Sequence, residues 1–88
     1  HAEHTQIIIV GAPGASDARA LRETVAARYL PFSVTVAVAP GGEQQRLAAF
    51  MPFIGPMTMR DGRATAYVCR AFACREPVTD TDALAAQL

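Results

Sequence analysis

Residues 5 to 10, TQIIIV, set four aliphatic side chains in succession, so an extended chain here is apolar on both sides. That pattern predicts a central strand covered from both faces and ended by Gly11, each aliphatic side chain contributing roughly 1.5–3 kcal/mol when fully buried. GAPGAS then breaks the strand, and Ser16 is placed to cap a helix by accepting from an amide of its first turn. At 100° per residue Ala18, Leu21, Val25 and Tyr29 fall in one narrow sector, with Arg19 and Glu23 pointing away. The helix should end near Leu30, because Pro31 disfavours a helical residue before it.

Phe32 to Ala39 alternates strictly, with Phe32, Val34, Val36 and Val38 on one face and Ser33, Thr35, Ala37 and Ala39 on the other. A second strand with one thickly covered face is expected. Strand, helix and strand at this spacing make a β-α-β unit, whose right-handed crossover leaves its two strands parallel. Pro40 to Gly42 open a short helix over 43–50 with Leu47 and Phe50 inward, closed by Pro52. Asp61-Gly62 suits a tight hairpin turn between arms at 57–60 and 63–69, and in the second arm Ala64, Ala66 and Val68 share one face. Thr79 or Asp80 caps a terminal helix carrying Leu84 and Leu88, with Asp82 near its positive end.

These elements predict a single α/β domain over residues 1–88: a three-layer sandwich with a short, mostly parallel sheet in the order 2-1-3 and the 57–60 arm as an antiparallel edge strand. If the 64–69 strand runs parallel to the first, Cys69, GAPGAS and PGG gather at the carboxyl edge of the sheet, where such folds place ligands.

Composition narrows the classes. At 88 residues, 51% of them hydrophobic and 18% charged, the chain is one small packed domain rather than a disordered one. Eight basic residues, all Arg, balance eight Asp and Glu, so no overall field recruits nucleic acid. The apolar runs fall far short of the ~20 residues that span a bilayer, and no membrane is expected. Two cysteines are too few for a secreted disulfide scaffold, which makes a reducing cytoplasm the default location. The chain lacks an initial Met and is expected to be a fragment of a longer multidomain protein.

Candidate chemistry is sparse. Gly11, Gly14 and Ser16 lie between a strand end and a helix N-terminus, a place that favours anions or a nucleotide. Yet the loop matches neither the dinucleotide fingerprint nor the Walker loop, and an ordinary connection is the favoured reading. Cys69 and Cys74 are redox candidates, but a disulfide needs Cα atoms within ~7 Å. Five steps of strand would set them ~16 Å apart and a helical turn ~8–9 Å apart. Only a tight reversal through Arg70 to Ala73 joins them, and that stretch holds no Gly, Pro, Asn or Asp. Two buried thiols acting as small apolar groups are therefore favoured over a bridge.

His1 and His4 could complete a zinc set with the cysteines, but ordering a frayed terminus is costly, and no metal or other cofactor is predicted. No nucleophile-base pair is evident, and no catalytic residue is assigned. Arg60, Arg63, Arg70 and Arg75 flank the hairpin as a possible basic patch, more simply read as a solvated edge.

DGRATAYVCRAFACREPVTDTDAL, preceded by IIIVGAP and ARYLPFSVTVAV, resembles the C-terminal end of the YyaL family, spermatogenesis-associated proteins that contain a thioredoxin domain. Ala66-Tyr67-Val68-Cys69 followed by Cys74 and Pro77 is its most specific part. The resemblance implies a long cytoplasmic protein with a thioredoxin-like domain, an α/α toroid similar to six-hairpin glycosidases, and this module at its end. Tyr67, Cys69, Cys74 and Pro77 carry over as pattern positions of open role. Three functions are in contention: a non-catalytic accessory module whose partners are the other domains of its parent, able to dimerise when isolated; a thiol-disulfide module using Cys69 and Cys74; and a small-anion or nucleotide binder at Gly11 to Ser16.

Overall fold

The computed structural model describes residues 5–12, 14–28, 33–70 and 73–88. The elements run β1 (Thr5–Val10), α1 (Ser16–Ala26), β2 (Ser33–Val38), α2 (Gly42–Ala48), a 3-10 turn (Pro52–Ile54), β3 (Thr65–Arg70), β4 (Ala73–Cys74) and α3 (Thr81–Gln87). The four strands form one sheet in the order β2-β1-β3-β4. This is a small α/β fold, with β1 in the interior of the sheet as its composition requires.

Ile7, Ile8, Ile9 and Val10 are all buried, and strand alternation sends them into two separate cores. Ile7 and Ile9 meet Ala18, Leu21 and Val25 of α1, Ala66 and Val68 of β3, and Leu84 of α3. Ile8 and Val10 meet Val38, Tyr67, Cys69, Ile54 and Met57, with Leu47 of α2 at the margin. Helices or turns thus lie on both faces, giving the three layers expected. The helical stripe of Ala18, Leu21 and Val25 is buried as its spacing requires, while Tyr29, Leu30, Pro31 and Phe32 lie outside the described residues.

The direction of β3 corrects the expected mostly parallel sheet. β1 pairs parallel with β2, Ile8 facing Val36, but antiparallel with β3, where Ile8 faces Tyr67. α2 has only seven residues, about 10 Å of helix. Residues 49–64 fold back over the sheet, so the chain re-enters it at the end it left, and an antiparallel strand results. The faces of β3 are nevertheless as expected, with Ala66 and Val68 on one core and Tyr67 and Cys69 on the other.

The hairpin turn is present but its first arm is not a strand. Asp61 (φ 54°) and Gly62 (φ 70°) are both left-handed, as a two-residue turn of the primed type demands, and Arg60 opposite Arg63 is one isolated bridge. Residues 57–59 form no ladder with β3, so the edge strand expected at 57–60 is replaced by β4. Phe50, expected inward, is 85% exposed, because α2 ends at Ala48 and the chain turns before Phe50 can face the core. Val34 is 51% exposed: β2 is an edge strand whose cover reaches only Val36 and Val38.

Candidate functional site

The sheet has two ends, and antiparallel β3 puts the sequence candidates at opposite ones. Cys69 lies opposite Gln6 near the start of β1, while Gly11 follows its last residue, Val10. Five strand steps separate them, about 17 Å. The gathering of Cys69, GAPGAS and PGG that a parallel strand would have produced does not occur. The four arginines divide likewise: Arg60 and Arg63 meet at one end of β3, while Arg70 ends the strand and Arg75 follows β4 at the other.

At the loop end, a shallow cleft opens between the carboxyl ends of parallel β1 and β2, walled by Gly11, Ala12, Ala18 and Ala39 with Arg22 and Glu43. Gly11 is required there by packing, since a Cβ would stand 2.9 Å from the Ala64 Cβ and 3.0 Å from that of Ala18. Gly14, with φ 78°, makes the turn into α1. The Gly11 amide donates to the Val38 carbonyl (3.0 Å) and that of Ala15 to the Ala12 carbonyl (3.1 Å), so both are committed within the protein.

Ser16 is not the cap expected. It is the first helical residue, and Ala15 at the N-cap makes no side-chain bond. Asp17 takes over: Oδ1 accepts from the Ala18 amide and Oδ2 from the Ala64 amide, each at 2.8 Å. These bonds, the Ala64 one foremost, hold the Asp17 carboxyl below its ordinary pKa. The helix N-terminus at this loop therefore already carries a fixed negative charge of its own, which disfavours a second anion beside it. Gly11, Gly14 and Ser16 adjoin one another, but only Gly11 borders the cleft.

At the other end the structure overturns the reading of Cys69 and Cys74 as free thiols. They are a disulfide, S–S 1.95 Å with Cα atoms 3.9 Å apart, and no cysteine is free. The reversal that the sequence does not request occurs: Arg70 pairs with Ala73 and Cys69 with Cys74 across an antiparallel β3–β4 hairpin. Residues 71 and 72, which join the strands, lie outside the described residues. The bridge is asymmetric in its surroundings. Cys69 is wholly buried in the core that holds Ile8 and Tyr67, whereas Cys74 is exposed.

The other two pattern positions support this edge. The Tyr67 hydroxyl donates to the Thr58 carbonyl (2.7 Å) and accepts from the Thr58 amide (2.9 Å), tying the irregular 57–59 segment to β3. Beyond β4 the chain stays beside β3, with Arg75 N–H donating to Val68 and Ala66 exchanging two bonds with Val78. Since Cys74 opposes Cys69, an unbroken ladder would set Pro77, not Val78, against Ala66. One residue is thus bulged out where Pro77, lacking an N–H, has no ladder bond to donate.

Sequence reasoning missed Gln44. Its side chain is buried in α2, and Nε2 donates to the carbonyls of Ile54 (2.8 Å), Gly55 (3.3 Å) and Met57. A glutamine in a short helix gives no sign of inward orientation, because its role is set by carbonyls ten or more residues away. His1 and His4 lie outside the described residues, so the zinc set has no structural description, and the two sulfurs it would use are bonded to each other. Among the described residues no helix is long and apolar enough to cross a membrane.

Known proteins place this architecture in context. Over 75 residues, 85% of its length, the chain is 37% identical to spermatogenesis-associated protein 20 of Homo sapiens. The same protein from Rattus norvegicus and from Mus musculus is 36% identical over 75 residues. The chain spans only 9% of the length of each of these relatives. No family model and no solved structure matches it. The likenesses support kinship with the spermatogenesis-associated protein 20 family over the matched segment.

Proposed function

We propose that this chain is the C-terminal α/β module of a YyaL-type protein, and that it serves the thioredoxin-like and toroidal parts of that protein as a non-catalytic docking and bracing domain in the cytoplasm. One observation carries the reading. Val34 and Phe50 are 51% and 85% exposed, the one on β2 and the other just past α2, elements that both pack on the core of Ile8 and Val10. Val34 shares its face with Val36 and Val38, and Phe50 follows the helix that packs there. A domain that closes one side with two helices and leaves large apolar groups on the other is shaped to be finished by a neighbour. The relatives' much greater length supplies room for one.

The remainder of the parent chain, expressed without this segment, should co-elute with it when the two are mixed. Phe50→Ser should weaken the association about tenfold or more, about 1.4 kcal/mol. Absence of association at high micromolar concentration overturns the proposal, as does association indifferent to Phe50. Self-association of the isolated chain, lost on adding the remainder, would support the same surface.

A further inference from the structure

We propose that the Cys69–Cys74 bridge is an exchange site, entered at Cys74 and closed at Cys69, through which a dithiol reductant delivers two electrons and unclamps the β4 edge. Thiol exchange requires the attacking thiolate to approach one sulfur from the side opposite the other. Cys69 is fully enclosed in the apolar core, so attack on its sulfur has no path from solvent, while Cys74 stands on an exposed two-residue edge strand. Arg70 and Arg75, both exposed, adjoin the two cysteines in sequence, against the single carboxylate of Glu76, and favour an anionic attacker.

The step balances as follows. A thiolate of the reductant attacks Sγ of Cys74, forming a mixed disulfide. The Cys69–Cys74 bond breaks, its electron pair stays on the Cys69 sulfur, and that sulfur takes a proton. The reductant's second thiol, as thiolate, then attacks its own sulfur in the mixed disulfide and releases Cys74, which is protonated in turn. The dithiol ends as a disulfide, and two electrons and two protons end on the pair of cysteines.

The fold can survive the reduction. A Cys69 thiol remains a small apolar group in its core, and the bonds of Arg75 to Val68 and of Val78 to Ala66 lie beyond the bridge. β4, by contrast, retains only its two pairings with β3. Release is therefore confined to the edge, and the outer side of β3 at Cys69 and Arg70 becomes available for pairing.

The oxidised chain, treated natively with millimolar reduced glutathione and quenched with acid, should carry glutathione on Cys74 alone by peptide mass spectrometry. Dithiothreitol should complete the reduction and speed hydrogen exchange at residues 73 and 74, while β1 and the Arg75 amide stay protected. In single variants, Cys74 in Cys69→Ala should alkylate at least about tenfold faster than Cys69 in Cys74→Ala. An adduct on Cys69 overturns the proposal. So does resistance to both reductants until denaturant is added, or loss of β1 protection on reduction, which would make the bridge a structural staple. The adduct is read on the unaltered chain, so a variant that fails to fold leaves the decision to that measurement.

Discussion

On one side of the sheet α1 and α3 lie over Ile7, Ile9, Ala66 and Val68 in a mainly apolar closure, with polar ties at its edges from Asp17 to the Ala64 amide and from the Arg28 guanidinium to the Ala85 carbonyl. On the other side a seven-residue helix, a 3-10 turn and an irregular segment cover Ile8, Val10 and Tyr67, held by side chains bonded to backbone. Gln44 gathers the carbonyls of Ile54, Gly55 and Met57, Tyr67 pins Thr58, and the Thr65 hydroxyl accepts from the Arg60 amide at 2.8 Å. The first side shows what periodic burial does when side-chain bonds only finish its edges. The second shows how a chain without a regular element satisfies its buried backbone groups, and what it leaves open, since its cover stops short of Val34.

Substitutions should separate the two sides. Leu21→Ala removes a fully buried side chain from the helical side and should cost about 2–5 kcal/mol in urea unfolding. A cost near zero would show that side to be loosely packed. Gln44→Leu keeps apolar contact but strands buried carbonyls, and should cost about 1–3 kcal/mol, more than Tyr67→Phe, whose partner Thr58 is exposed and can turn to water. A reversed order would mean the tyrosine, not the glutamine, holds the irregular cover. Cys74→Ser, compared with the oxidised chain, should cost about 2 kcal/mol, because the loop it closes is short.

Smaller effects sharpen the contrast. Asp17 joins α1 to the start of β3, and its lowered carboxyl pKa means its contribution is complete above the ordinary value of 3.8 and lost as pH falls through the lower folded value. Asp17→Asn should therefore lower the unfolding midpoint near neutral pH and converge with the parent chain in strong acid. A gap independent of pH would assign the effect to packing. Phe50→Ser should change stability by no more than about 0.5 kcal/mol, since the ring is already in solvent. A large loss would place Phe50 in the fold rather than on a docking surface.

The regular half of the molecule was legible because periodicity reports burial directly. TQIIIV could only be an interior strand, Ala18, Leu21 and Val25 could only face it, and Asp80 caps α3 as its type and place suggest, accepting from the amides of Asp82 and Ala83. The irregular half was not, because its determinants are distant in sequence. Nothing local tells Gln44 that three carbonyls await it, or Asp17 that the Ala64 amide will. The direction of β3 hid for the same reason, depending on where residues 49–64 leave the chain. The local turn chemistry of Arg70 to Ala73, with no Gly, Pro, Asn or Asp, argues against the disulfide. The bridge joins Cys69 to Cys74 where β3 and β4 lie side by side, a pairing between strands that no single local turn signal announces.

The placement of β1 also governs how the molecule comes into being. Its partner on one edge, β2, is nearby in the chain, but the partner on its other edge is β3, where Ile8 must wait for Tyr67. Synthesised from the N-terminus, the isoleucine ribbon emerges long before the residues that seal it. The β-α-β unit can assemble while the chain is still growing, but closure of the second edge is a long-range pairing of the kind that slows folding. Slowed translation or truncation between α2 and β3 would leave the apolar strand Ile7 to Val10 with an unpaired edge, a hazard for aggregation.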